Sequence, residues 1–482
     1  MGHILRHNRH AFTDYYPRDP EGLTVFSRRN MLKAGVAGLA GLSLPGLLKA
    51  REQATATGRS MSPKSVILLW MAGGPSQIDT WDPKPDRPWI NRGPFKPIST
   101  ALPGTFICEH LPKQAAMLDR FSLIRSVDCY KSNHEPNRVM QTGIRDAAPR
   151  ERANGGKYPA IGSVVAKFRG ANRPGMPPYV VFTRTPTHVA WGGFLGKQYD
   201  PMDGNHVTKL PAYDEVGNPL NETTGGDRFQ LPAGLSMERL TQRRALMKDF
   251  DRIRVHVDKS GSLETLNDYQ RQAYEMLLGD HARQAFDLSR EPQRNRDRYG
   301  EHLWSQQALL ARRLVEAGVS FVTLDLNYHW SSGTWDNHGI PGGVYGGISK
   351  GLQPLLPLFD HLLTTLVSDL EERGLLDDVL VIAMGEFGRT PNMGTQGSVD
   401  GRNHWPAVMS MCLAGGGLRH GQVIGASDPT GGEIANRPVT PADLAATIYR
   451  HMGVTLDLTY LESAGRPRHI VEENGQPLPE LF

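Results

Sequence analysis

The sequence predicts an α/β protein built on a doubly wound, mostly parallel sheet. Three observations carry this. The apolar runs are continuous rather than alternating, as strands buried on both faces require. Stretches with helical periodicity lie between several of them. Most of the runs end in glycine-rich polar loops, the place where open α/β sheets gather ligand-binding groups.

The strands come in order. KSVILLWMAGG (64–74) is a central parallel strand feeding a loop. Similar runs follow at PPYVVF (177–182), VSFVTLDL (319–326), DVLVIAM (378–384) and AVMSMCLAG (407–415). EHLWSQQALLARRLVEAG (301–318) and LLPLFDHLLTTLVSDLEERG (355–374) have apolar residues at helical spacing and stop at glycine. TPADLAATIYRHMG (440–453) offers Thr440 as N-cap, Pro441 in the first turn and Gly453 past the end. Residues 232–290 are polar, helix-rich and short of strands, which reads as a helical insertion on the sheet.

The N-terminus carries an export pattern. FSRRNMLK (26–33) resembles the twin-arginine motif, an apolar stretch AGVAGLAGLSLPGLL follows, and Ala54-Thr55-Ala56 offers a small-residue cleavage site. The stretch is too short and too rich in glycine for a stable transmembrane segment. Residues 1–56 are therefore expected to be a signal peptide with its n-region, and 62–482 a single α/β domain. The expected partner in export is the twin-arginine translocase, and the expected location is the periplasm or cell surface.

Composition narrows the function. The chain has 482 residues and a formal net charge of +4, its arginines are scattered, and it has no nucleic-acid-binding motif. Nucleic acid is not an expected partner. The three cysteines, Cys108, Cys129 and Cys412, match no zinc spacing. Cys412 reads as a core thiol, whereas pairing of Cys108 with Cys129 is left open by the sequence.

Five loops could carry chemistry: AGGPSQIDTWDPKP (72–85), NHEPNRVMQTG (133–143), GTWDNHG (333–339), GEFGRT (385–390) and GRNHWP (401–406). Asp, Glu and His together are ligands for divalent ions such as Zn²⁺, Mn²⁺, Mg²⁺ or Ca²⁺. Asp79, Asp336, His338, Glu386 and His404 are the candidate ligands. Arg138 and Arg389 are candidates for holding a phosphate or sulfate through paired hydrogen bonds. Each has a plain structural alternative: Asp336 and His338 as turn caps, His404 as a packed residue, Glu386 as an ion-pair partner of Arg389 or Arg402. Trp81, Trp191, Trp330, Trp335 and Trp405 lie in or near the loops and suit either sugar stacking or core packing.

Taken together and in this order, SVILLWMAGGPSQIDTWDPKP, WDNHG, GEFGRTP and GRNHWPAVMSMCLAGGGLRHGQVIGASD resemble the exported bacterial domain-of-unknown-function family 1501. The resemblance spans essentially the whole mature chain. It implies the alkaline phosphatase and sulfatase-like superfamily, mostly metal-dependent hydrolases and mutases of phosphate or sulfate esters. His134-Glu135-Pro136-Asn137-Arg138 resembles the sulfatase Cys-x-Pro-x-Arg segment with His134 in the place of the cysteine, so no formylglycine can form there. His134 becomes the candidate acid/base or nucleophile, with Ser132 a candidate hydroxyl nucleophile. The superfamily's Asp-His-Gly turn looks replaced by Gly385-Glu386-Phe387-Gly388. The acid usual after the first strand is replaced by Ala72-Gly73-Gly74, with Asp79 a possible substitute.

Two functions follow as expectations. One is a periplasmic metal-dependent hydrolase of a small-molecule or polysaccharide phosphate or sulfate ester. The other is a non-catalytic exported binding or envelope protein for glycans or anions.

Overall fold

In the computed structural model, residues 63–129, 136–148, 154–213, 219–226, 242, 280–327, 335–339, 346–394 and 398–482 are described. Pro63–Phe482 forms one compact unit. The predicted export segment (1–56), Ser132, His134, Trp330 and nearly all of 232–279 lie outside the described residues.

Eight strands form one sheet: β1 Ser65–Trp70, β2 Phe121–Val127, β3 Tyr179–Phe182, β4 Met202–Asp203, β5 Phe321–Asp325, β6 Val379–Met384, β7 Met409–Gly415 and β8 Gln422–Ile424. Their spatial order is β8-β2-β7-β6-β1-β5-β3-β4. Every residue of β1 is buried, and both its neighbours run parallel to it, with Trp70 level with Met384 on one side and Asp325 on the other. The apolar run thus does what its pattern demands: no position faces water.

Alternation along β1 divides the core. Ile67, Leu69 and Met71 pack with helices α2 (Leu303–Ala317) and α3 (Gln353–Glu372). Val66, Leu68 and Trp70 pack on the opposite face with α1 (Ile161–Phe168) and α4 (Pro441–His451). The result is a three-layer α/β/α arrangement. Helix α4 begins with the expected Thr440 cap, completed by Asp443 as a capping box.

The last predicted strand differs from expectation in direction. β7 runs antiparallel to both β6 and β2, while the other pairings in the sheet are parallel. A parallel return needs a crossover connection, and the described residues between Met384 and Met409 contain no helix to make one. This reversal matters for the site. It places the start of β7 beside the end of β6, so the loops 385–390 and 401–406 meet at one edge. Gly388–Arg389 and His404–Trp405 pair there as a short antiparallel ladder, with Arg389 opposite His404.

The cysteine question is settled by the two cores. Cys108 lies in the core on the α2/α3 face and Cys129 in the core on the α1/α4 face. All three cysteines are free and buried, and burial pushes their thiol pKa values up. No helix among the described residues is long and apolar enough to cross a membrane.

Candidate metal centre

Three of the five predicted ligands come together. One ligand atom each from Asp336, His338 and His404 lies within 4.8 Å of the other two. His338 Nε2 stands 2.7 Å and His404 Nε2 3.2 Å from Asp336 Oδ1. The imidazole rings are 4.4 Å apart between centroids, and Phe387 packs against His404 at 4.6 Å. Phe387, which cannot ligate, therefore acts as a wall that orients one of the histidines.

The loops hold this geometry through the backbone. Trp335 N donates to Ala72 O at 2.8 Å, and its indole Nε1 donates to Leu326 O at 2.8 Å. Asp336 is thereby fixed beside the ends of β1 and β5. Gly73 and Gly74 have φ of +104° and +75°, conformations that favour glycine. A Cβ on Gly73 would lie 2.4 Å from Asp336 N, and one on Gly74 would lie 2.5 Å from Phe387 O. Gly73 and Gly74 thus let the Asp336 and Phe387 loops close over the end of β1. Gly73→Ala is expected to destabilise the protein by about 2 kcal/mol or more and to lower its bound metal. Denaturant midpoint and metal content of the purified variant check both.

Arg389 takes the other side of Asp336. Its Nη2 donates to Asp336 Oδ1 at 2.6 Å and also to Gly73 O; Nε donates to Gly74 O at 2.9 Å and Nη1 to Arg402 O at 3.2 Å. The side chain is fully buried. The guanidinium is taken up by Asp336 and backbone carbonyls and presents no free fork to a substrate anion, contrary to its sequence reading. The turn's expected local ion pair is also replaced: Arg389 reaches Asp336, and Glu386 Oε1 accepts from Gly73 N at 2.8 Å. Glu386 is buried at the same edge, and its charge adds to the rise in the Cys129 thiol pKa that burial begins.

Asp79 stands apart from the three. Its carboxylate accepts from Arg402 Nε and from Ser76 Oγ, each at 2.6 Å, and both charged side chains are fully buried. Arg138 sits on the short helix Pro136–Thr142 and is half-buried, and burial lowers its guanidinium pKa. Among the described residues its guanidinium has no hydrogen-bond or ion-pair partner. Trp81 and Trp335 belong to the core, whereas Trp191 and Trp405 are part-exposed.

The donor set suits a divalent ion. Zinc holds nitrogen and oxygen ligands at about 2.0–2.2 Å in tetrahedral directions, which spaces them roughly 3.4 Å apart. The spacings of 2.7 and 3.2 Å about Asp336 Oδ1 need only a small expansion.

Over residues 63–482 the chain matches the family described as "Protein of unknown function (DUF1501)". It belongs to that family. A comparison with curated protein sequences finds no match for this DUF1501 chain. Among solved structures it is similar to the PsFucS1 sulfatase from Pseudoalteromonas sp., at 12% identity and a TM-score of 0.35, covering 86% of this chain and 73% of that one. The phosphonate monoester hydrolase SpPMH from Silicibacter pomeroyi is 12% identical with a TM-score of 0.32, covering 86% and 75%. Ps i-CgsB in complex with k-i-k-neocarrahexaose is 10% identical with a TM-score of 0.37, covering 82% and 73%. At these scores the fold assignment of the DUF1501 chain rests on its own strand order and register.

The sequence reading missed Asp325, which closes β5, and His188, which meets it at 3.2 Å. A signal for Asp325 was present: an acid as the last residue of the apolar strand FVTLD.

Proposed function

We propose that this DUF1501 protein is an exported, metal-dependent hydrolase of phosphate or sulfate esters. The observation that carries the proposal is the Asp336–His338–His404 cluster at the carboxyl edge of a mostly parallel sheet. That edge is where such folds assemble their sites. An acid and two imidazoles whose ligand atoms lie this close offer the nitrogen and oxygen donors that a divalent ion takes.

Asp336, His338 and His404 would hold the ion. Bound there, a divalent ion polarises an ester oxygen and favours deprotonation of water at neutral pH. Arg389 pairs with Asp336 and aims its carboxylate. Arg138, a part-buried cation without a hydrogen-bond or ion-pair partner among the described residues, is the residue for the substrate's anionic group. Ser132 and His134 precede Arg138's helix in sequence; His134 remains the proposed acid/base or nucleophile and Ser132 the proposed hydroxyl nucleophile.

The test is elemental analysis of protein exported through its own signal and purified without chelators, followed by a screen of phosphate and sulfate esters. About one equivalent of zinc, manganese, magnesium or calcium per chain, with hydrolysis abolished by chelator, is the expected result. Protein that binds no metal even after reconstitution would instead be a non-catalytic receptor for glycans or anions, and glycan arrays would identify its ligand.

A further inference from the structure

We propose that Asp400 is a positioning residue for the metal: by capping the turn that opens α3, it holds the His404 loop against the His338 loop at the spacing the ion needs. The inference rests on the ligand assignment proposed above and adds to it the element on which the two histidine loops are mounted. No step of ester chemistry enters it.

Ile348–Leu352 is a turn of π-helix that runs directly into α3. Such turns are rare and recur at functional sites. Ile348 and Leu352 are fully buried in the core on the α2/α3 face, which makes the turn a fixed mount. Gly351 N and Leu352 N both donate to Gly347 O, and the amides before them have no carbonyl one turn earlier to meet. Asp400 takes those amides. Its backbone O accepts from Ile348 N at 2.7 Å. Its Oδ1 accepts from Ser349 N at 3.0 Å and from Ser349 Oγ at 2.7 Å, and its Oδ2 accepts from Lys350 N at 3.3 Å. Gly347 permits this approach, because a Cβ there would overlap Asp400 O.

Both histidine loops are seated on this mount. Asp400 lies four residues before His404 and bonds the turn itself. Asn337, between the ligands Asp336 and His338, donates from Nδ2 to Gly346 O at 3.3 Å, two residues before the turn. The loops also meet each other directly. Arg402 N donates to Asn337 O at 3.2 Å, and a Cβ on Gly401 would overlap His338 O. The spacing of His338 and His404 is thus set by one loop lying on the other and by both being fastened to the start of α3. Removing the Asp400 carboxylate unfastens the His404 side. The ion must then order a loop that the protein no longer holds, and that ordering is subtracted from its affinity.

The test is zinc affinity, read by competition with a chromophoric chelator. It compares metal-free full-length wild type, Asp400→Ala, Asp400→Asn and Asp443→Ala at a temperature where circular dichroism shows each folded. Asp443→Ala is the control for a purely structural cap: Asp443 caps α4 and bonds Thr440 and Gln476, which belong to neither histidine loop. Asp400→Ala is expected to weaken zinc binding about tenfold or more, the range for groups behind metal ligands. Asp400→Asn keeps a side-chain oxygen for Ser349 N and is expected to stay within about threefold of wild type. Asp443→Ala should bind zinc as wild type does. Wild-type affinity in Asp400→Ala, an equal loss in Asp443→Ala, or a loss in Asp400→Asn as large as in Asp400→Ala would each overturn the role. A second measurement needs no variant. Coupling is reciprocal, so zinc should slow hydrogen exchange at Ser349 N and Lys350 N of wild type about tenfold more than at Asp443 N. Equal slowing at the two caps would overturn the role even if Asp400→Ala failed to fold. Wild type that takes up no zinc would bring down the ligand assignment and this role together, whereas zinc uptake with unchanged affinity in Asp400→Ala removes only the role of Asp400.

Discussion

His338→Ala and His404→Ala are each expected to lower metal affinity by about 100-fold or more and to cut ester hydrolysis on the order of a thousandfold, with the fold intact. The first magnitude matches the loss that even outer-shell substitutions approach at metal sites. The second follows from the several kcal/mol that an ion contributes to charge stabilisation, at about tenfold in rate per 1.4 kcal/mol. The histidines are the informative pair because Asp336 has a second duty. Asp336→Asn would remove a ligand and also strand the Arg389 guanidinium, which is fully buried and has Asp336 as its acidic partner at 2.6 Å. That variant mixes metal loss with the cost of an unpaired buried charge. In the alanine variants the Arg389–Asp336 pair survives, so thermal midpoints should stay close to that of the metal-free wild type. Metal content by elemental analysis, kcat/KM on an ester and a melting curve separate the contributions. Full metal content in both variants would reject the ligand assignment.

The architecture was legible because burial leaves a one-dimensional trace. β1, β3, β5 and β6 are continuous apolar runs, and each forms a strand of the sheet. β2 was missed because Ser122, Arg125 and Ser126 break its apolar run, although Phe121, Leu123, Ile124 and Val127 are buried. β4 and β8 are too short to carry a pattern. The direction of β7 is a property of its connection, and no residue within the strand reports it.

The site was legible in residue type and obscure in pairing. Asp336, His338 and His404 stood out as acid and imidazole groups in loops between strands, and the fold brings them together. Which acid meets which base was beyond the sequence, because those partners come from different loops. Arg389 lies three residues from Glu386, yet it pairs with Asp336, 53 positions away. Asp79 looked like a substitute for the missing first-strand acid, and its partner Arg402 lies 323 positions on. His188 and Asp325 are separated by 137 positions and meet because β3 and β5 are adjacent in the sheet.

Arg402→Met is expected to cost about 3–5 kcal/mol, the range for breaking a buried ion pair from one side. That is a large part of the roughly 5–15 kcal/mol that stabilises a typical domain. Arg402 and Asp79 both have fully buried side chains. Besides Asp79, the guanidinium serves Thr390 O at 3.0 Å, Pro391 O at 2.7 Å and Asn91 O at 2.7 Å. Methionine fills much of the volume and satisfies none of these groups, so the loss is electrostatic and hydrogen-bonding in origin. Arg402 also accepts, through its carbonyl, from the Arg389 guanidinium that aims Asp336. Metal affinity should therefore fall along with stability, although Arg402 is not placed among the ligands. The double variant Asp79→Asn, Arg402→Met divides the cost: removing the stranded charge should recover part of the loss, while Thr390 O and Asn91 O stay without the guanidinium and Pro391 O keeps only Asn91 Nδ2. Urea midpoints of the two single variants and the double variant supply the cycle. If the double variant is no more stable than Arg402→Met, the charge on Asp79 is not the source of the loss. The carbonyl network would then be what binds segments 75–82, 88–93, 390–394 and 398–403 together beside the proposed metal site.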